Sequence, residues 1–262
     1  LSYSLLVALT DIDRPEDLPV WEETFSSTSD SGLDQLISVI IPAVDEIDNI
    51  EATLLSLQDA GSVEVILVDG GSRDGTPEIA RQLGAEVLQS NPGRATQMNA
   101  GAAAATGDIL LFLHADTRLP PGFENHVRSV IAKPEVSAGA FALRIDSPLF
   151  LLRVMEWGAN LRARYTHMPF GDQAIFVSAA VFRQVGGFPD LPIMEDFAFV
   201  RRLQKEGRIE IVPRAVHTSA RRWLSMGIWR TWWINQIMVV GYYLGVTPQR
   251  LAAFYRRHKG LG

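Results

Sequence analysis

Cysteine is absent from the 262 residues, which excludes disulfides, thiolate-bound metals and thiol nucleophiles. A basic surplus is missing too: 24 Lys and Arg stand against 30 Asp and Glu, a formal charge of −6. Binding nucleic acid through its phosphates needs a basic face, so no nucleic-acid partner is expected. Neither common glycine signature of a nucleotide loop occurs, since the chain has no GxGxxG and no Gly-Lys-Ser/Thr. Internal repeats are lacking. The apolar stretch at residues 5–9 follows no basic residue and so lacks the layout of a secretory signal; a cytoplasmic protein is expected. Apolar residues are plentiful, at 47%, and at this length they suffice for a substantial core.

Residues 1–35 are rich in Asp, Glu, Ser and Thr and hold no sustained period of 2 or 3.6, so they read as a poorly packed arm. From Ile37 onward, short β-branched runs alternate with helical periods. "ISVIIP" precedes a helix over residues 46–59; "VEVILVD" precedes one that opens at Thr76 and Pro77 and closes before Gly84. "AEVLQS", a helix over residues 96–105 and "DILLFLH" follow, then strands in "SAGAFALRI" and "QAIFVS" around a helix at residues 149–164. Continuous apolar strands separated by helices predict an α/β domain over residues 36–262, with a mostly parallel sheet covered on both faces. In such sheets ligands bind beyond the carboxyl ends of the strands. Those ends carry residues 42–46, residues 69–74 and residues 114–116, three acidic loops on one crevice.

Each loop admits a functional and a purely structural reading. In "VDGGSRDGT" the glycines, Gly70 among them, permit close backbone approach to a ligand, and Asp69 can accept hydrogen bonds from a nucleoside. Asp74 equally serves as a helix cap. Arg94, ahead of a small-residue helix, suits an anionic diphosphate or is a surface charge. Asp116, at the end of "LLFLHAD", suits Mg²⁺ or Mn²⁺, because such ions need few protein carboxylates when substrate phosphates complete the shell. Glu195 and Asp196 open a helix, either as dipole partners or with one of them a general base. The C-terminal segment, about residues 219–257, carries three tryptophans and two tyrosines within residues 228–246. Arg230, Asn235 and Gln236 argue against a membrane span there. A buried helix, a membrane-surface helix, a lipid-binding groove or a homodimer contact remain.

Taken in order, "SVIIPAVDEIDNI", "VILVDGGSRDGT", "GRATQMNAGAAAATGDILLFLHADT", "GGF", "MEDFAFVRRLQKEG" and "RRW" resemble the bacterial family 2 glycosyltransferases of the GT-A fold, over residues 37–257. The resemblance implies that Pro42, Ala43, Glu46, Asp69 and Gly70 line the nucleotide site, with Arg94 near it. It implies that Asp116 holds a divalent metal (Mg²⁺ or Mn²⁺), with His217 a second ligand, and that Asp196 is the base beside Glu195. Asp172, Arg222 and Trp223 are implied substrate contacts. Two departures stand out: His114 occupies the first position of the family's DxD, and Ser219 stands where the QxxRW element of processive relatives has Gln. The long membrane helices of processive synthases are not seen, which points to transfer of one sugar per encounter. The implied reaction is an inverting, metal-dependent transfer from a nucleotide diphosphate sugar to a small or lipid-like acceptor; some small relatives glycosylate carotenoid acids or polyprenols. A nucleotidyltransferase and a non-catalytic sugar-nucleotide or lipid binder are the competing readings.

Overall fold

The computed structural model describes residues 35–259, so the expected N-terminal arm lies, but for Gln35, outside the described residues. The first four strands, β1 (Ile37–Ala43), β2 (Val63–Asp69), β3 (Glu86–Gln89) and β4 (Ile109–Phe112), are joined through α1 (Ile47–Leu55), α2 (Thr76–Gln82) and α3 (Arg94–Ala104). They pair in parallel, with β1 between β2 and β4. After the two-residue β5 (Thr117–Arg118) and α4 (Phe123–Ile131) come β6 (Val136–Asp146), α5 (Phe150–Thr166), a 3₁₀ turn at Gly171–Gln173, β7 (Phe176–Ser178) and α6 (Ala179–Gln184). The chain continues through α7 (Glu195–Glu206), β8 (Arg208–Ser219), α8 (Arg221–Met226), α9 (Ile228–Tyr243) and α10 (Pro248–Lys259). The eight strands form one sheet in the order β3-β2-β1-β4-β7-β6-β8-β5, in which β7 and β5 run against the rest.

The strand runs are almost wholly apolar because both faces are covered. On one face Ile37, Val39 and Ile41 meet Ile50 and Leu54 of α1, Ala80 of α2 and Phe123 and Val127 of α4. On the other, Ile40, Ile66 and Val68 meet Met98 of α3, and further along Phe197, Val200 and Leu203 of α7 and Ile234 and Met238 of α9. Phe188, from "GGF", stacks edge-on against Phe112 at 4.7 Å, and its backbone is bonded in both directions by Asn99. That motif is therefore a packing device that seats α6 and α7 on β4.

Three sequence expectations change. The first helix ends at Leu55 rather than residue 59, where Ser56 Oγ bonds back to the Thr53 carbonyl at 2.6 Å. The strand "DILLFLH" stops at Phe112, and His114 accepts from Thr117 N–H in a turn (3.1 Å), so Asp116 sits on a loop and not on the strand. The twelve-residue β8 had no counterpart in the sequence reading. Pro213 breaks its period, and the ladder to β6 slips there: Phe141 faces Val212, but Ala142 faces Ala215. A bulge is where a strand can hold a residue that lacks an N–H.

Helix α3 lies close on β1 and β2 because Gly101 has no side chain; a Cβ there would come within 2.5 Å of Ile40 Cγ2 and 2.9 Å of Val68 Cγ2. Gly101→Val is expected to destabilise the fold by about 1–3 kcal/mol through overpacking, read as a lower urea midpoint with unchanged m-value; an unchanged midpoint would mean that α3 does not rest on these strands.

Candidate active site

The crevice begins with two loops stitched together. The loop after β1 donates Asp45 N–H to Ser72 Oγ, Glu46 N–H to Thr76 Oγ1 and Ile47 N–H to Asp74 Oδ2, each at 2.9 Å. In return Arg73 N–H donates to Asp45 Oδ1 at 2.8 Å. Asp74 thus serves the first amide of α1 as well as its own neighbour Thr76, which bears out the structural reading of that residue. Beneath them Gln97 of α3, fully buried, donates to the carbonyls of Ala43 and Val68, and Gly70 is packed so tightly that a Cβ would meet Val44 at 2.7 Å.

Asp69 is buried to 2% exposure. Burial opposes its charge, but hydrogen bonds from Ser72 N–H, Ser72 Oγ (2.5 Å) and Gln89 Nε2 (2.9 Å) prevail and hold its carboxyl below the usual range. The carboxylate fixes the shape of the loop, presenting the backbone of Ala43 to Glu46 along the crevice.

Around the end of β4 lies a concentration of carboxylates and arginines drawn from distant parts of the chain. Asp116 is pushed up by burial and by Glu46, with Arg221 and Arg94 pulling the other way. Its one side-chain hydrogen bond is a long 3.4 Å contact from Thr117 Oγ1. Glu46 is clamped by Arg221, whose Nη2 reaches both carboxylate oxygens at 2.6 and 2.7 Å. Across the crevice Glu195 is buried against Arg94 (3.3 Å). Burial and the adjacent Asp196 push its carboxyl up against that pairing. Asp196 Oδ2 accepts from Gly171 N–H at 2.8 Å, while its Oδ1 accepts from Phe197 N–H.

The 3₁₀ turn brings two further residues to this point. A Cβ on Gly171 would lie 3.0 Å from His114 Nε2 and 3.2 Å from Asp196 Oδ2, so glycine there lets the histidine and the acid converge. Pro42, Arg94, His114, Gly171 and Asp196 line one small cavity. His114 is pushed down to about 3 by burial and by Arg94 and Arg222, and is therefore neutral at physiological pH. It replaces the charge of a DxD aspartate with a neutral ring. Asp172 is pushed up by burial, with Arg162 opposing and Asp196 adding to the rise; its Oδ1 is buried without a hydrogen-bond partner.

The residues singled out from the sequence thus divide. Pro42, Arg94 and Asp196 share the cavity, with Glu195 paired to Arg94, Glu46 charge-coupled to Asp116, and Asp172 to Asp196. Arg222 adds its charge to His114 and Asp172 while donating to Asn235 Oδ1 at 2.8 Å. Trp223 packs on the apolar cluster below the sheet. His217 belongs elsewhere: it faces Arg118 in the β5–β8 ladder and lines a separate groove with Leu55, Asp59 and Pro120. Burial, then Arg118 and Arg144, depress its protonation, with Asp146 pulling the other way. Arg221 and Arg162, which the sequence reading did not assign to the site, both reach it; Arg162 lies 3.5 Å over the Phe170 ring and acts on Asp172 and Asp196.

A divalent cation fits this arrangement at Asp116. The Asp116 side chain makes only a long contact with Thr117 Oγ1 among the described side chains, and a second acid, Glu46, is nearby, with Arg221 and Arg94 acting on it as well. Among the described residues no cluster of three His, Asp or Glu could hold a metal alone. One hard carboxylate that leaves most positions to substrate oxygens and water is the usual Mg²⁺ arrangement in phosphate sites.

The Asp69 network has a pH signature. Asp69→Asn is expected to cost about 1.5–3 kcal/mol of stability at neutral pH, because hydrogen bonds to a charged acceptor are lost. Since the folded pKa is lowered, that difference is fully present above the ordinary value near 4 and closes as pH falls through the folded pKa. Denaturation curves across this window check it; a pH-independent gap would contradict it.

The family profile described as Glycosyl transferase family 2 matches residues 38–185, more than half of the chain. An uncharacterised glycosyltransferase of Mycobacterium tuberculosis is 30% identical over 187 residues, 63% of this chain and 68% of the relative. A 4,4'-diaponeurosporenoate glycosyltransferase of Staphylococcus haemolyticus is 36% identical over 105 residues; the match covers 37% of this chain and only 28% of that relative. Among solved structures, a mannosyltransferase from Pyrobaculum calidifontis in complex with GDP-Man and Mn²⁺ superposes with a TM-score of 0.62 at 23% identity, over 78% of this chain and 61% of that one. Glucosyl-3-phosphoglycerate synthase from M. tuberculosis, with Mg²⁺ and uridine diphosphate, gives 0.54 at 20% identity over 72% of this chain and 74% of that one. The fold is that of the GT-A enzymes. The order of the loops, the Glu195-Asp196 helix start and the family match agree, and the chain spans about a third or less of the length of several curated relatives it matches: this chain belongs to glycosyl transferase family 2.

Proposed function

We propose that the protein transfers a sugar from a nucleotide diphosphate donor to an amphipathic, lipid-like acceptor with inversion at the anomeric carbon, at the cytoplasmic face of a membrane. The observation that carries this reading is the position of Asp196: its Oδ2 is fixed by Gly171 N–H and lies beside His114 on the crevice that Arg94 also enters. The nucleoside lies along Pro42, Ala43, Glu46 and Gly70, in the loops whose shape Asp69 holds. Arg94, at the start of α3 where free N–H groups point outward, meets the diphosphate. The nucleotide and metal held by the two solved relatives support a donor and a divalent ion of this kind. Asp116 would hold Mg²⁺ or Mn²⁺, which when bound supplies positive charge to the departing diphosphate.

The acceptor then occupies the side of the crevice bounded by Asp196 and Asp172. Asp196 takes the acceptor hydroxyl proton while that oxygen bonds the anomeric carbon; the bond to the diphosphate breaks on the opposite side, and its electron pair leaves with the nucleotide. Fixing Oδ2 on Gly171 leaves one orientation for the carboxylate and spares it a search at each turnover. An acceptor carboxylate, already ionised, needs no base. Glu195, paired to Arg94, positions that guanidinium. The partnerless Asp172 Oδ1 is a ready acceptor for a substrate hydroxyl.

Asp196→Asn keeps shape but cannot take a proton, so kcat toward a hydroxyl acceptor is expected to fall about 10²- to 10⁴-fold with donor affinity unchanged. Asp116→Asn is expected to abolish the response to Mn²⁺ or Mg²⁺ and weaken donor binding. Steady-state kinetics with calorimetry of the free nucleoside diphosphate separate the two; equal loss of donor binding in both variants contradicts the division of roles.

A further inference from the structure

Helix α5 turns its aromatic residues outward. Its inner side is tied down by polar groups: Glu156, buried, accepts from Ile145 N–H and pairs with Arg153 at 2.9 Å, and Asn160 bonds both the N–H and the carbonyl of Leu143 at 2.7 and 3.0 Å. Its outer side carries Phe150, Val154, Trp157, Leu161 and Tyr165, with Phe150 80% and Tyr165 75% exposed. At about 100° per residue these five lie within roughly a quarter of the helix circumference. A helix that buries Glu156 beside Leu152 and Ala163 while exposing Phe, Trp and Tyr presents an outer face that a solvated surface does not select.

Helix α9 adjoins α5 and also carries an exposed apolar stripe. Ile234 and Met238 go inward, while Trp229, Trp233, Ile237, Val240 and Tyr243 stay exposed, followed by Leu244. Among the described residues, every large exposed apolar side chain except Val44, Ile47 and Leu55 lies on or beside α5, α8 and α9. Such a concentration marks a docking face.

Charge identifies the occupant. The protein is acidic overall, yet after Glu210 the sequence holds no Asp or Glu and eight Lys and Arg. Arg164 at the end of α5, and Arg250, Arg256 and Arg257 on α10, are exposed. We infer that the α5–α9 face seats the protein on an anionic lipid bilayer, its aromatic side chains at the headgroup level and its basic C-terminal helix against the lipid charge. A second copy would bring the same basic surface against itself, a like-charge pairing that costs several kcal/mol. The inference rests on the proposed amphipathic acceptor and explains how it reaches the base. Arg162 of α5 bears on Asp172 and Asp196, and Tyr242 and Tyr243 of α9 rest on Phe197 at 5.1 and 5.5 Å, next to Asp196. The lipid-facing helices thus border the acceptor side.

Co-sedimentation of the full chain with phosphatidylcholine vesicles, with and without about a third phosphatidylglycerol, tests this, since anionic lipid attracts basic segments. Binding is expected to rise at least tenfold with phosphatidylglycerol, to weaken with salt, and to fall at least tenfold in the pair Phe150→Ser and Trp157→Ser, whose far-ultraviolet circular dichroism should match the parent. An Arg256→Glu, Arg257→Glu pair should lose the preference for anionic lipid. Equal binding to both vesicles, no binding, or a dimer by light scattering that the α5 pair converts to monomer would overturn it. Hydrolysis of the sugar nucleotide in vesicle-free buffer keeps the two readings apart: its persistence without vesicle binding sinks the docking face alone, and vesicle binding without any donor turnover sinks the transfer reaction alone.

Discussion

Five carboxylates (Glu46, Asp116, Asp172, Glu195 and Asp196) meet at the carboxyl edge of the sheet, Glu195 buried and the others half-buried, and that concentration of negative charge must be balanced within the fold. Isolated ionised carboxylates would protonate in such surroundings. The balance comes from arginines on separate elements: Arg94 opens α3 and holds Glu195, Arg162 comes from α5, and Arg221 and Arg222 open α8. Arg221 and Glu46 lie 175 residues apart in sequence, and their pairing fastens the C-terminal helices to the first loop of the sheet. Asp116 and Asp172 are still pushed upward, chiefly by burial, which the arginines offset only in part.

The sheet supplies the rigidity that this crowding demands. β1 lies between β2 and β4, so the loops that follow the three strands are neighbours by topology. Amides of the loop after β1 are satisfied by Ser72, Asp74 and Thr76, which follow β2. Small residues make the closeness possible: Gly101 lets α3 approach the strands, and Gly171 lets His114 and Asp196 share one corner. The crevice is shaped by backbone and glycine as much as by the acids.

Much of this was legible in the sequence, because buried parallel strands are written as continuous apolar runs that end abruptly in polar residues. Asp69 and Asp116 stand at such endings, while Arg94 and the Glu195-Asp196 pair stand at helix starts. What escaped obeys no local period. β8 hides behind Pro213 because a bulge absorbs the proline, and Arg162 and Arg221 acquire their roles through partners far along the chain. The family resemblance offers His217 as a ligand, whereas the ladder places it opposite Arg118 and in a different groove. Helix α5 was read as a helix, yet its exposed aromatic face emerges only when Glu156 and Asn160 are found bonded to β6.

In the proposed reaction a carboxylate works from the acceptor side of the crevice while the diphosphate departs on the other, a single displacement. The configuration of the first-formed product tests this most directly. Proton NMR of the glycosylated acceptor, recorded before any mutarotation or reversal, should reveal an anomeric configuration opposite to that of the donor sugar. Retention of the donor configuration would contradict the assignment of Asp196 as base and demand two successive displacements at the same carbon.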